Sequence, residues 1–406
     1  MASETISASE PRPQILVASM ETEERLGNSP GLKIQIALLR AICALVLLGI
    51  LVAGLWPFHA PRNQVRWLNG ANGLLLKRHG SIVSSGVFAA NPLQDNAGCS
   101  LEIWLEPNRL DSSGTILAFY RPESRNVPFA LRQSLADLVI LHTGHDQPHN
   151  AGKPKIYIND LFRHRQLVLV TIISGEFGTS VYADGSLVRK SSNFKFSNGD
   201  LTGRLIVGNS PNTTDNWSGQ LRKIAIYRRQ LSAAEVSEHS ASLANGAQPG
   251  LTESAGAVAL YLFDEGGGSV VHNRLDSATD LLIPERFFIL HPQFLENPRS
   301  EFRPDWNYWK NVGINVGGFI PLGFFFCAYL STLRRMKQAV AITIILGFAV
   351  SLTIEVLQAF IPTRDSGMTD LVTNTLGTAL GAITCVWIVK RPWLARTGIS
   401  IFAEPA

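Results

Sequence analysis

Between Ser351 and Gly377 an otherwise apolar stretch carries Glu355, Gln358, Arg364, Asp365, Asp370 and Asn374. Ionisable groups at the centre of a membrane helix cost roughly 2.5–3.5 kcal/mol each on insertion scales, so they mark a functional interior by default. Ser351, Glu355 and Gln358 follow spacings of four and three and share one helix face. Asp370, Asn374, Gly377 and Gly381 repeat at four, three and four and make a second stripe. Asn311, Asn315 and Gly318 begin a third. Glu355 or Asp370 can serve as acid or base, and Arg364, in a tight loop, can reach the carboxylates or hold an anionic headgroup. The candidate ligand-binding residues are Asn315, Glu355, Gln358, Arg364, Asp370 and Asn374; no residue is assigned a catalytic or metal-binding role. With two acids and one arginine close together, at least one carboxylate is expected to be protonated or open to a ligand. The competing reading is that these side chains only lock helices together. Measured interhelical hydrogen bonds average about 0.6 kcal/mol. That is small against the insertion cost, and it favours a ligand- or proton-handling site.

Four apolar segments must position these groups: 33–58, 312–330, 339–361 and 371–389. The first reaches the ~20 residues needed to span when Arg40 snorkels to the surface. Gly377 and Gly381 form a small-xxx-small pair that lets helices approach closely. Basic residues sit before the first span (Lys33, Arg40), between the second and third (Arg334, Arg335, Lys337) and after the fourth (Lys390, Arg391, Arg396). All three places fall on one side of a four-span topology, so the positive-inside rule puts both termini in the cytoplasm. The expectation is a multi-pass protein of the cytoplasmic (inner) membrane. Residues 1–32, rich in Ser, Glu and Pro, read as a disordered cytoplasmic tail, and 391–406 as a second cytoplasmic tail. The 362–370 loop and the long insert after the first span then lie outside.

That insert, 70–285, has another character. Short alternating runs separated by turn signals recur at 100–106, 115–120, 138–142, 155–159, 166–173, 179–183, 204–207 and 223–227. Asp184-Gly185 between two apolar pairs is a hairpin signal. Ser232 and Glu235 have the spacing of a capping box that starts one helix. The pattern predicts an antiparallel sandwich, joined to the membrane by a Pro- and aromatic-rich connector over 286–310. The fold class is thus a membrane all-α four-helix bundle plus an extracytoplasmic all-β antiparallel sandwich. The chain has 406 residues, only 17% of them charged, and a net charge of +4. With no basic stripe interleaved with aromatics, nucleic acid is not a partner. Of four cysteines only Cys99 lies in the polar middle, so no disulfide framework is expected.

Ser100-Leu-Glu-Ile-Trp104-Leu-Glu-Pro107, Gly114-Thr-Ile-Leu117, Val181-Tyr-Ala-Asp184-Gly185, Leu205-Ile-Val-Gly208-Asn209, Trp217-Ser-Gly219 and the Leu231–Val236 box together resemble the laminin-G, or concanavalin-A-like lectin/glucanase, jelly roll. Leu260-Tyr-Leu-Phe263-Asp264-Glu265-Gly266 resembles the strand that usually opens such a domain, yet it follows the rest; it is either the closing strand of a permuted sheet, the preferred expectation, or a remnant of a second copy. Glu102 and Glu106 have the outer spacing of the glucanase carboxylates, with Trp104 where the motif has an aspartate. On a strand they lie ~13 Å apart at ~3.3 Å per residue, against the about 5–5.5 Å of a retaining pair, which favours an ordinary strand. The resemblance raises calcium as a ligand of the sandwich, with Asp184, Asp264 and Glu265 near, but no oxygen-ligand loop supports it and no cofactor is assigned. His142, His145 and His149 read as a solvated loop, and the sequons at Asn212 and Asn216 carry little weight.

Asn315-Val-Gly-Gly-Phe319-Ile-Pro321-Leu-Gly323, Glu355-Val-Leu-Gln358, Arg364 and Asp370-Leu-Val-Thr-Asn374-Thr-Leu-Gly377 resemble the signature of the VanZ-like membrane family, and Trp56-Pro57-Phe58 its early Pro-Phe. The resemblance places the VanZ-like region at 33–58 and 311–390, with the sandwich inserted. That family is named from a protein linked to teicoplanin resistance, so the resemblance implies an envelope role rather than a reaction. Expected partners are membrane lipid and an envelope glycan or lipid-linked precursor. The sandwich is expected to bind glycan or another envelope component. The alternatives are an enzyme acting on a lipid-linked precursor, or an anchor that displays the sandwich.

Overall fold

The computed structural model describes residues 30–89, 98–142, 154–212, 214–245, 256–292, 294–302, 306–364 and 366–390. The tails at 1–29 and 391–406, together with His145 and His149, lie outside the described residues. The chain forms two compact units. One holds the sandwich, Pro57–Gln293, with Ala359–Asp365; the other holds the first helix and the C-terminal helices.

In the sandwich, β1 (Val65–Trp67), β2 (Leu74–Leu76), β3 (Ile82–Ser84), β4 (Cys99–Pro107), β5 (Ser113–Arg121) and β6 (Asn126–Ser134) come first. Then follow β7 (Asp137–His142), β8 (Lys155–Ile158), β9 (Val168–Gly175), β10 (Gly178–Ala183), β11 (Ser186–Ser191), β12 (Arg204–Val207) and β13 (Gly219–Tyr227). After a helix come β14 (Ala257–Tyr261), β15 (Val270–Val271) and β16 (Leu281–Leu282). One sheet has the order β1-β2-β13-β4-β9-β10-β11, and the other β15-β16-β3-β12-β5-β6-β7-β8. Inward side chains of both, among them Leu101, Ile103, Phe119, Phe129, Ile172 and Trp217, form one core. This is the antiparallel sandwich that the strand pattern predicts.

β13 shares its free edge between two partners. β2 pairs with its Gly219–Leu221 end and β14 with its Ile224–Tyr227 end. The strand at Leu260 therefore does close the sheet from the C-terminal side. The sequence pattern passes over β6, because Pro128 interrupts it. Pro128 is tolerated because β6 pairs with β7 only from Phe129 onward, and the β5 ladder shifts register opposite it. Helix α1 (Pro30–Leu55) precedes the sandwich, and α2 (Ala233–Ala244) covers the outer face of the first sheet through Leu231 and Val236 against Ala225, Tyr227 and Leu260. Its start is the predicted capping box. The Ser232 hydroxyl accepts from the Glu235 amide, while the Glu235 carboxylate accepts from the Ser232 N–H at 2.7 Å.

The second unit contains α1, α3 (Trp306–Ser331), α4 (Met336–Gln358) and α5 (Met368–Val389). Each is long and apolar enough to cross a membrane. α4 stops at Gln358, earlier than the apolar run suggests, because Pro362 disfavours helical backbone ahead of it. The glycines act as expected at the α3–α5 crossing. A Cβ on Gly377 would run into the carbonyl of Val316, and one on Gly381 into that of Ile320. The two backbones touch there, and no larger residue fits.

Candidate functional site

α4 buries Ala339, Thr343, Gly347, Ser351 and Glu355, one residue every four, along a single stripe. α5 runs antiparallel and answers with Thr378, Asn374 and Asp370. Gly347 leaves room for Thr378, whose side chain a Cβ at Gly347 would meet. One turn on, the Asn374 amide donates to the Ser351 hydroxyl at 3.0 Å. A further turn on, Glu355 faces the first turn of α5. Each step is about 6 Å at 1.5 Å per residue, and polarity rises along it from small to amide to carboxylate.

The start of α5 is built to receive carboxylates. Backbone N–H groups at a helix N-terminus lack intrahelical partners and attract negative charge. Glu355 accepts from the Gly367 N–H at 2.9 Å. Glu301, at the end of a single helical turn (Pro298–Glu301), accepts from the Thr369 N–H at 3.0 Å and from the Thr369 hydroxyl. Gly367 lies between the two acids, and a Cβ there would strike the Glu301 carboxylate. Glu296 holds this turn in place through backbone bonds to Ser366 and Met368 at 3.0 and 3.1 Å. From α3, the Asn315 amide donates to Asp370 at 2.7 Å. From α4, the Gln358 amide donates to the carbonyl of Gly54 in α1 at 2.8 Å.

Of the six residues read from sequence, Asn315, Glu355, Gln358, Asp370 and Asn374 all lie in this unit and contribute to one polar column. The sixth, Arg364, lies in Ala359–Asp365, within the sandwich's compact unit, where its N–H closes a turn onto the Ile361 carbonyl at 3.0 Å. Sequence reasoning missed Glu301, Gly367 and Ser351's pairing with Asn374. Glu301 stands in a Pro- and aromatic-rich connector rather than a span, so helical periodicity gives no cue to it. Asn297, four residues earlier, does carry a signal: Asn before Pro is a helix start, and its side chain accepts from the Arg299 N–H.

The other acids have structural work. Glu102 has no exposed surface. Its carboxylate meets Lys223 at 3.2 Å, His239 at 2.9 Å, Thr171 at 3.2 Å and Tyr227 at 3.3 Å, beneath α2. Burial pushes its carboxyl up, but the His239 hydrogen bond and the Lys223 charge bring it below the usual glutamate value. Both oxygens are engaged, so Glu102 is no free nucleophile or acid, and the strand reading of the Glu102–Glu106 spacing stands on geometry. Asp184 accepts from the Leu169 N–H in its hairpin turn, Glu265 from that of His272, and Asp264 pairs with Arg274. Among the described residues no three His, Cys, Asp or Glu side chains are grouped to hold a metal ion.

Residues 256–390 match the model of the VanZ/LLP1 family, and residues 80–237 that of the concanavalin A-like lectin/glucanases superfamily. The first match begins well ahead of residue 311 and takes in β14 to β16; α1 lies outside both. No curated protein matches the chain. Similar solved structures include the binding domain of Paraclostridial Mosquitocidal Protein 1, 16% identical over 46% of this chain and 47% of that one, with a TM-score of 0.34. The receptor binding domain of botulinum neurotoxin C/D mosaic serotype is 15% identical over 45% of each, TM-score 0.35. A heptameric SAP-like pentraxin from Limulus polyphemus is 14% identical over 45% of this chain and 80% of that one, TM-score 0.31. This chain spans about half the length of the first two. The two family matches and the four membrane-capable helices identify a membrane protein that carries a VanZ-like region and a lectin-like sandwich.

Proposed function

We propose that the polar column of the VanZ-like unit holds a lipid-linked or amphiphilic ligand, and that the sandwich recognises a glycan or another component of the cell envelope. One observation carries this reading. Glu355 is buried in a span with its carboxylate on the Gly367 N–H, and Asp370 and Glu301 are close enough for their charges to reach it. Like charges brought together in an apolar medium are costly, and the hydrogen bonds that surround them recover only part of that cost. A cluster kept only to lock helices would be served by Ser351, Asn374 and the glycines alone.

The basic flanks support cytoplasmic termini in an inner membrane, an external sandwich, and a ligand met from the outer side. The proposal rests on the five column residues of this unit, Asn315, Glu355, Gln358, Asp370 and Asn374. The enzyme reading, with Glu355 or Asp370 as acid or base on a lipid-linked precursor, differs in one readout. Turnover of a lipid-linked sugar by the purified protein would establish it and remove the pure binder. Glu355→Gln should abolish the protein's cellular phenotype while membrane level and folding stay normal. An unchanged phenotype would leave only the anchor that displays the sandwich. A glycan array probed with the full-length protein tests the lectin role; silence there favours a protein surface as the sandwich's partner.

A further inference from the structure

The chain just after the first span is basic and has no acid to answer it. Between Glu24 and Asp95 there is no aspartate or glutamate, yet Arg62, Arg66, Lys77 and Arg78 fall there, inside the sandwich's unit. All four side chains are exposed, as is Arg286 near that unit's far end. Among the described residues none of the five takes part in an ion pair. Burial, and then the Arg78 charge, push the His79 ring below its usual value of 6.5; the second cause is the field of these cations.

The fold gathers these charges. Arg62 and Arg286 stand opposite each other in an antiparallel bridge. The flanking bonds run from the Asn63 N–H to the Glu285 carbonyl at 2.9 Å and from the Phe287 N–H to the Pro61 carbonyl at 3.0 Å. That makes Arg62 and Arg286 a non-hydrogen-bonded pair, the kind whose side chains come closest. Like charges directly opposite destabilise a sheet. The Lys77 N–H donates to the Gln64 carbonyl at 3.1 Å and the Gln64 N–H to that of His79 at 2.8 Å, which sets Lys77 and Arg78 beside the same segment. Asn63 fastens all three segments: its amide donates to the Ser81 and Pro284 carbonyls at 2.7 and 2.9 Å and accepts from the Ser81 N–H at 2.9 Å. Glu285 is the one acid among them, against five cations. Connectivity keeps the patch close to a bilayer. The Arg286 guanidinium donates to the Ala60 carbonyl at 3.1 Å, and Ala60 is five residues beyond Leu55, the end of α1. At no more than ~3.6 Å per residue, that carbonyl lies within about 20 Å of the end of the span.

We propose that this basic surface docks on the anionic phospholipid headgroups of the bilayer leaflet on its own side, with a headgroup phosphate shared by Arg62 and Arg286. A phosphate accepts from two guanidinium groups at once, so binding it relieves the repulsion between them. Arg66, Lys77 and Arg78 add attraction that falls off within a Debye length of the surface. The inference concerns the sandwich's surface alone. It stands apart from the ligand of the polar column and from any glycan the sandwich takes.

The test uses the full-length protein in phosphatidylcholine nanodiscs doped with phosphatidylglycerol that carries a photoactivatable group on its headgroup. Companion discs carry the same group on phosphatidylcholine, and cross-linked peptides are identified by mass spectrometry. The anionic probe should label the peptides around Arg62, Lys77–Arg78 and Arg286 at least fivefold more than the zwitterionic one, about the factor that one basic residue contributes at such a surface. Arg62→Gln with Arg286→Gln should lower that labelling by about 25-fold, two such factors. Lys77→Gln with Arg78→Gln should lower it as well, and stands in if the first pair does not fold. Raising salt from about 0.15 M to about 1 M shortens the Debye length from ~8 to ~3 Å and should remove most of the preference. Equal labelling by the two probes, labelling confined to the spans, or labelling unchanged in the variants would overturn the inference. Competition by glycerol phosphate in solution would overturn it too, since it would show a site for a soluble phosphate rather than a lipid surface.

Discussion

Glu102→Gln keeps the shape of a side chain and removes its charge from the driest ion pair in the sandwich. Lys223 is 1% exposed, and its Nζ lies 3.2 Å from the Glu102 carboxylate. Without that carboxylate the ammonium is left in an apolar interface between β13 and α2, with water excluded. Breaking a buried pair from one side costs about 3–5 kcal/mol. At about 2–4 °C per kcal/mol for a domain of this size, the sandwich should unfold roughly 6–20 °C lower. Hydrogen exchange at the amides of β4 and β13 in the full-length protein isolates this domain's stability from that of the helices. Exchanging both partners, Glu102→Met with Lys223→Met, should recover most of the loss, because two apolar side chains leave no charge unpaired. A loss below about 1 kcal/mol for Glu102→Gln would refute the reasoning, since it would mean that Lys223 regains water or gives up its proton at little cost. The pH profile gives a second readout. The folded carboxyl titrates below its ordinary value of 4.5. Its contribution is therefore complete above that value and lost as pH falls through the folded one. The acid limb of the sandwich below pH 4.5 should be shallower in Glu102→Gln than in the wild type, the part that remains coming from other paired acids such as Glu235.

Three further outcomes are expected. Ser232→Ala removes the acceptor for the Glu235 amide and should cost about 1 kcal/mol, read as faster exchange in the first turn of α2. Gly381→Leu cannot fit against the Ile320 carbonyl, so α3 and α5 must separate; loss of the folded membrane unit in detergent, seen by gel filtration, is the readout, whereas normal behaviour would contradict the crossing. Cys99 has no exposed surface, and burial pushes its thiol well up; a maleimide should label it only after unfolding, and prompt labelling of the native protein would contradict its place in the core.

Much of this architecture was legible from residue patterns because the relevant forces are periodic. Apolar runs of helical length mark α1, α3, α4 and α5, and alternation marks most strands. The spacing of four and three that puts Glu355 beside Ser351 and Gln358 survives in the structure because both neighbours lie on one turn-by-turn stripe. What was hidden depends on contacts between distant segments. Glu301 reaches the start of α5 from 68 residues earlier, and no local pattern encodes that reach. Lys223 and His239 converge on Glu102 only because β13 pairs with β4 and α2 folds back over both. By alternation with Leu101 and Ile103, Glu102 falls on the outer face of β4, and only the helix that covers that face buries it; which base it meets is a matter of register. The strand β6 was obscured by Pro128, which a strand can hold only where its neighbours leave the ladder open.

The central claim is that Glu355 and the column around it exist for a ligand. Native mass spectrometry of the full-length protein, taken from its own membranes into nanodiscs, tests it whatever the ligand's identity. The account predicts a bound species of defined mass on the wild type that is lost or sharply reduced in Glu355→Gln, with an unchanged charge-state distribution showing that the fold is intact. Identical spectra for the two, at equal stability, would contradict it and leave the column as a device for holding helices together.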